Sequence, residues 1–240
     1  KLGTEFEQYE DLFVNIDLSN YYEKLETSSL ASSIKKKQEG DYFENLISYS
    51  ITLNKLDQNF QPSDGYVTKF SQTFPIYSED LTIENSLTAS KYYSVNDSLI
   101  LSGKLYLKAV NSIDDNARVS KRVYIPTYRL RGFASGSIGP KDGTQYIGGN
   151  YGSAVTFNTT LPKLFNANEN MDFNLFIDAA NLWHVDYDSS LDSNKIRSAT
   201  GISVNWYTVV GPLSFSYAIP ISDAESDETE SFRFRIGTSF

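Results

Sequence analysis

Cysteine is missing from this chain, histidine and methionine occur once each, and no apolar run extends beyond a few residues. Each gap excludes something. Without cysteine there are no disulfides and no thiolate metal sites, a composition compatible with any compartment, an oxidising periplasm included. With His184 as the single histidine, any dyad that needs imidazole has only that residue to use, and neither a Gly-x-Ser-x-Gly elbow nor a phosphate loop is present. No catalytic residue, metal or cofactor is therefore expected. A membrane helix needs roughly 18 to 20 apolar residues in succession, and the chain has no such stretch. Basic residues are also scarce: 21 Lys and Arg against 30 Asp and Glu leave a formal charge of -9, without the basic stripe that neutralises phosphates, so nucleic acid is not an expected partner. The opening "KLGTEFEQYE" has neither a basic start nor an apolar centre. It does not read as a signal peptide, and an exported form is expected to be mature or trimmed.

What the chain does have is aromatic and alternating. Tyr and Phe, 17 and 15 of them, dominate an aromatic share of 14%, and strand formers are abundant. The length suffices to bury a core in one large domain or two small ones. From Tyr9 onwards a single design repeats, an alternating segment of about ten residues followed by a polar break. In "LFVNIDLSN", Leu12, Val14, Ile16 and Leu18 oppose Phe13, Asn15, Asp17 and Ser19. In "NLISYSITLN", Ile47, Tyr49, Ile51 and Leu53 oppose Ser48, Ser50, Thr52 and Asn54. Further strands are predicted at 65–75, 80–93 and 97–110, then in "YGSAVTFNTTL", "DFNLFIDAANLW", "IRSATGISVNWYTV", "PLSFSYAIP" and the terminal "FRFRIGTSF", about ten in all.

Strands in a soluble sandwich average about five or six residues; these are longer. About ten residues tilted by roughly 45° span a hydrocarbon core, and apolar-out, polar-in segments separated by turns are the signature of a transmembrane barrel. Connections alternate too: 61–65, 93–98 and 209–212 are short, whereas 23–42, 111–148, 184–195 and 222–230 are long, with "PKLFNANEN" a medium exception on the short side. "SSLASSIKKKQEG" permits a short helix ended by Gly40. The acidic "SDAESDETE" reads as a solvated loop. His184, with Asp186 and Asp188 nearby, invites a metal reading, but a rim residue beside Trp183 is the simpler one.

The terminal strand separates the alternatives. Phe232, Phe234, Ile236, Thr238 and Phe240 share one face, Arg233 and Arg235 the other. In a barrel the first set meets lipid and the arginines face a polar lumen. A soluble carbohydrate-binding sandwich would have to bury those arginines or leave a ladder of aromatics in water. The same alternation in "DFNLFIDAA" sends Phe173, Leu175 and Ile177 to lipid, and Asp172, Asn174 and Asp178 to the lumen.

The long break contains "RLRGFASGSIGPKDG" followed by "YIGGN". This resembles the sixth loop of the outer-membrane assembly and translocation superfamily, the bacterial surface antigen group, which carries an Arg-Gly-Phe or Arg-Gly-Tyr motif: here Arg131, Gly132 and Phe133. In order, "IGPKD" (138–142), "GGN" (148–150), "LP" (161–162), "FIDAANLW" (176–183), "RSATG" (197–201), "WYTVVGPLSFSYAIP" (206–220) and "FRFRIGTSF" look like the C-terminal half of that superfamily's outer-membrane assembly factors. "QPSDG" resembles the family's Asp/Pro/Gly-containing turn, while residues 1–60 match in strand pattern alone.

The resemblance implies a barrel of roughly sixteen strands preceded by periplasmic POTRA domains. This chain is then expected to be the C-terminal part of an antiparallel barrel, with the first strands and the POTRA domains outside it. Also implied are a non-enzymatic role in folding and inserting outer-membrane barrels, a site in the bacterial outer membrane, and partners comprising the lipopolysaccharide-containing bilayer, unfolded barrel substrates and accessory lipoproteins. In the family the loop arginine pairs with acids on the inner wall. Asp178 fits one partner. The other is usually a glutamate four residues before the Leu-Pro proline, where this chain has Asn158, and Ala180 stands where family members often have Gly. Gly132, Gly139, Gly148 and Gly149 are expected to allow the loop's tight backbone, and the C-terminal strand to Phe240 looks like the family's assembly signal. A related translocation-and-assembly or two-partner secretion transporter is the nearest alternative, a passive porin a further one.

Overall fold

The computed structural model describes residues 1–29, 31–96, 98–114, 116–161, 170–209 and 211–237. Eleven of its strands form one antiparallel meander. They are β1 (Leu2–Tyr9), β2 (Leu12–Leu25), β3 (Gly40–Leu56), β4 (Gly65–Tyr77), β5 (Thr82–Asn96) and β6 (Leu99–Ser112). After the long loop come β7 (Tyr151–Thr160), β8 (Met171–Trp183), β9 (Arg197–Thr208), β10 (Gly211–Ser222) and β11 (Phe232–Ile236). Each strand pairs with its sequence neighbours, and the sheet is open between β1 and β11. The fold is a partial antiparallel β-barrel.

The sequence pattern predicts about ten strands starting near Tyr9; the extra one is β1, which pairs with β2 from Leu2↔Leu18 to Tyr9↔Leu12. Its alternation is easy to miss, because Thr4 and Gln8 interrupt the face that carries Leu2 and Phe6. From β2 to β10 the strands run from 10 residues (β7) to 17 (β3), long enough to cross a hydrocarbon core. Among the described residues no helix is long and apolar enough to cross a membrane. The short helix α1 (Ser33–Lys37) sits in the β2–β3 loop, its N-terminus capped by Ser32, and ends at Gln38, so that Gly40 opens β3 instead.

Register keeps like with like across the sheet. Ile51 lies opposite Phe70 and Phe70 opposite Leu87; Ile177, Thr200 and Ile219 are successive partners farther on. Ile177, Ile202 and Ile219 are each more than half exposed, as apolar side chains on a lipid-facing wall must be. Opposite them, Asn174, Asp178, Ser203 and Ser216 are buried on the inner face. Turns 10–11, 57–64 and 209–210 fall on one rim, and the loops 26–39, 113–150, 184–196 and 223–231 on the other. The β4–β5 link at 78–81 is short although it lies on the long-loop rim.

The inner face is less polar than the strand alternation suggests. Val110, Ala154, Ala180, Leu182 and Ala199 of the wall pack with Val123, Ile125, Leu130, Phe133 and Ile138 of the 113–150 loop in one apolar cluster. Where that loop fills the lumen, water is excluded and the wall becomes protein interior. Its placement also explains the small residues: Gly132, at φ +90, would push a Cβ to within 3.2 Å of both Ala199 and Ala218.

Replacing Ile202 by Arg, at the middle of β9 on the lipid face, is expected to lower stability by about 2–4 kcal/mol, measured by denaturant unfolding of the full-length protein in lipid vesicles.

Candidate functional site

Arg131 enters the barrel on the 113–150 loop. Its Nε donates to Asp178 Oδ2 at 2.7 Å and its Nη2 to Asp178 Oδ1 at 2.8 Å, a two-point fork on one carboxylate. The Arg131 backbone N–H donates to Asp178 Oδ2 as well, at 3.0 Å, and Nη2 reaches Asn158 Oδ1 at 3.1 Å. The guanidinium carbon lies 3.3 Å from the centre of the Phe176 ring, a cation-π contact on the open face of the fork. Asp178 is fully buried. One carboxylate thus holds both the side chain and the backbone of the loop residue, setting its position and direction.

Small residues make room for this. Gly201, beside Phe176, cannot carry a Cβ, which would lie 2.1 Å from Tyr217 O and 2.8 Å from the Phe176 ring. Ala199 and Ala218 floor the bay beneath Gly132, and Phe133 is buried in the apolar cluster. Gly132 and Phe133 then pair as a two-residue ladder with Thr229 and Glu230 of the last loop. Gly139 rests on Leu182, Gly148 approaches Val123 O, and Gly149 lies against the Trp183 backbone.

Three more arginines on or beside the loop were not singled out by the motif. Arg118, nearly buried, pairs with Glu23 at 3.0 Å and also with Glu44 and Asp80, while its guanidinium carbon stands 3.8 Å over the Tyr42 ring. Burial raises the Asp80 carboxyl above its ordinary range even though Arg118 opposes the shift. Arg122 pairs with Asp186 and lies 4.9 Å over Tyr187, whose hydroxyl is pushed up to about 12, first by burial and then by Asp142. Arg197, at the start of β9, forks onto Asp227 at 2.8 and 3.1 Å and donates to Ser193 Oγ at 2.7 Å. Asp227 therefore departs from the solvated reading of "SDAESDETE": its side chain is buried, whereas Asp223, Glu225, Glu228 and Glu230 remain exposed.

No local pattern marks these nodes: Arg118 and Arg122 lie in a loop to which strand alternation does not apply, and Arg197 is followed by Ser198. His184 caps β8 at φ 67 and stacks on Tyr151 at 4.9 Å, beside Trp183 at the rim. Asp186 is taken by Arg122, Asn150 and the Ala117 N–H, and Asp188 caps a turn at Ser190. Among the described residues no His/Asp/Glu group of metal-binding geometry is found. Phe232, Phe234 and Ile236 are exposed on the outer face; Phe240 and Pro162 lie outside the described residues.

An open antiparallel sheet, apolar outside and filled by its own arginine-anchored loop, is the wall of a transmembrane β-barrel. The Omp85 superfamily domain matches residues 1–240, and the chain belongs to that superfamily. It is 24% identical to the outer membrane protein assembly factor BamA of Neorickettsia risticii, over 96% of this chain and 32% of that protein. It is 29% identical to BamA of Neisseria meningitidis serogroup B over 46% of this chain and 17% of the relative, and 25% identical to BamA of Nitratidesulfovibrio vulgaris over 89% and 27%. The crystal structure of BamA from Haemophilus ducreyi lacking POTRA domains 1–3 superposes with a TM-score of 0.87 at 24% identity, covering 99% of this chain and 53% of that one. The chain thus spans about a third or less of the curated relatives it matches.

Removing one partner of a buried ion pair leaves the other charge stranded, at about 3–5 kcal/mol. Arg131→Ala and Asp178→Ala are each expected to cost that much, the double variant less than their sum, and Asn158→Ala about 1 kcal/mol. Unfolding of the full-length protein in vesicles, with protease sensitivity of the 113–150 segment as second readout, measures all four.

Proposed function

We propose that this chain is the C-terminal part of the barrel of a BamA-type assembly factor, which folds and inserts barrel proteins into the bacterial outer membrane without catalytic chemistry. The observation that carries the reading is the Arg131–Asp178 latch seated in its bay of small residues, in a chain whose relatives are assembly factors along most of its length. A passive porin needs an open aqueous lumen, and here the loop packs an apolar cluster against the inner wall. "IGPKD" and "VGPLSFSYAIP" favour assembly over a translocation or two-partner secretion role within the superfamily.

The edge strand β11 supplies the physics of such a role. In hydrocarbon every unpaired backbone group costs several kcal/mol, so further strands, to roughly sixteen in all, complete the barrel, with POTRA domains on the periplasmic side. Among the described residues, β11 pairs with β10 from Leu213↔Ile236 to Tyr217↔Phe232. A strand with a free edge is a template for an incoming strand. The partners implied are unfolded barrel substrates, accessory lipoproteins and the lipopolysaccharide-containing membrane.

The test is folding of a radiolabelled substrate barrel in lipid vesicles by the full-length protein with its accessory factors. Acceleration by wild type that falls at least about tenfold in Arg131→Ala is the expected result; sustained ion conductance without acceleration points instead to a channel or transporter.

A further inference from the structure

The β3–β4 connection does not stay beside its own strands. Although it joins neighbouring strands, Gln61 Nε2 donates to Asp172 Oδ2 at 3.1 Å, a contact 111 residues away on β8. The same oxygen accepts from the Tyr207 hydroxyl of β9 at 3.0 Å, and the Phe60 ring meets Tyr207 edge-on at 5.0 Å. Asp172 and Tyr207 are inner-face residues at the short-turn ends of β8 and β9. The turn has therefore folded inward across the lumen. Four strands lie between β3 and β8 along the sheet, so this is contact through the interior and not along the wall.

The turn is built to hold that shape. Asp57 accepts from the Ser63 N–H at 3.1 Å and from Ser63 Oγ at 2.5 Å, which holds its carboxyl below the ordinary range. Gln58 Nε2 donates to Gln61 O at 2.7 Å, and Asn54 Nδ2 to Asn59 Oδ1 at 2.9 Å. Gln61 itself sits at φ 51, a left-handed conformation that a glutamine adopts at a cost and keeps where its surroundings demand it. Its side chain is thereby aimed at Asp172.

We infer that turn 57–64 is an inward-folded floor that closes the lumen from the short-turn rim, released by breaking the Gln61–Asp172 hydrogen bond and the Phe60–Tyr207 ring contact. The inference rests on the chain being barrel wall, not on an assembly role. Directly above the floor, Ser203 and Asn174 are opposed on β9 and β8 and buried. An occupied floor shields them from solute arriving at that rim.

Because the chain has no cysteine, single-cysteine labelling reads this directly. In the full-length protein in vesicles, Ser203→Cys is exposed to a membrane-impermeant maleimide on the short-turn side, alone and combined with Phe60→Ala and Gln61→Ala. Losing the hydrogen bond to the Asp172 carboxylate together with the ring contact is expected to raise the labelling rate at least about tenfold. Separately, the pair Gln61→Cys and Asp172→Cys is expected to cross-link under mild oxidant and to leave Phe60→Ala without effect until reduced. Heat-modifiable gel migration establishes that each variant is a folded barrel. Equal labelling rates with and without the release substitutions, or a folded cysteine pair that does not cross-link, overturns the inference. Because no substrate barrel is present, neither readout depends on assembly activity.

Discussion

A guanidinium keeps its charge at any physiological pH, so an arginine taken out of water has to be met by carboxylates, carbonyls or the face of a ring. That demand organises the interior of this barrel. The 113–150 loop carries Arg118, Arg122, Arg129 and Arg131, and each finds its partner on a different part of the structure: Glu23 and Glu44 on β2 and β3, Asp186 beyond β8, Tyr106 on β6, and Asp178 on β8. Four anchors, three on the wall and one on the 184–196 loop, determine where the loop lies far more narrowly than apolar packing alone, which is non-directional. Net stabilisation per pair is modest once desolvation is counted, but a misplaced loop would strand several buried charges at once.

Two solvents meet the two faces of the sheet. Outside is lipid, which accepts Ile177, Ile202 and Phe234 with no further structure. Inside, the solvent is the loop, and the wall answers with a change in side-chain size: Ala154, Ala180, Ala199, Gly201 and Ala218 stand where inward-pointing bulk would exclude Phe133 and Gly132. Ala180 is buried within the apolar cluster, so the methyl at that position is accommodated as packing. Asn158 contributes one neutral hydrogen bond to Arg131, and the charge balance of the latch is carried by Asp178 alone. The Phe176 ring occupies the remaining face of the guanidinium.

Most of the wall was legible because strand parity is a local property: once Leu175 and Ile177 are assigned to lipid, Asp178 follows to the inside with no knowledge of the loop. Phe176 follows by the same parity, yet an aromatic on the polar face carries no label of its purpose until the arginine above it is seen. Strand β1 was illegible for a related reason, since the face that carries Leu2 and Phe6 also carries Thr4 and Gln8, and parity alone does not mark it. The Arg197–Asp227 fork joins positions thirty residues apart in a stretch whose acids otherwise face water. Nothing local distinguishes Asp227 from Asp223; only the closure of the loop onto β9 does.

The terminal strand brings these threads to one place. Its outward Phe232, Phe234 and Ile236 meet lipid, while Arg233 donates to Phe133 O at 3.2 Å and pairs with Glu230, and Arg235 lies 4.9 Å over Tyr128. The loop strand Gly132–Phe133 is itself paired with Thr229 and Glu230, immediately before β11. The latch motif and the edge strand are thus in direct contact through main chain and side chain. A displacement of Arg131 from Asp178 has a short path to β11, because Phe133 accepts from the strand two residues after the latch. The alternation of "FRFRIGTSF" has one cause on each side: hydrocarbon on the first, and on the second a folded-in loop whose carbonyls and rings require cations at that spacing.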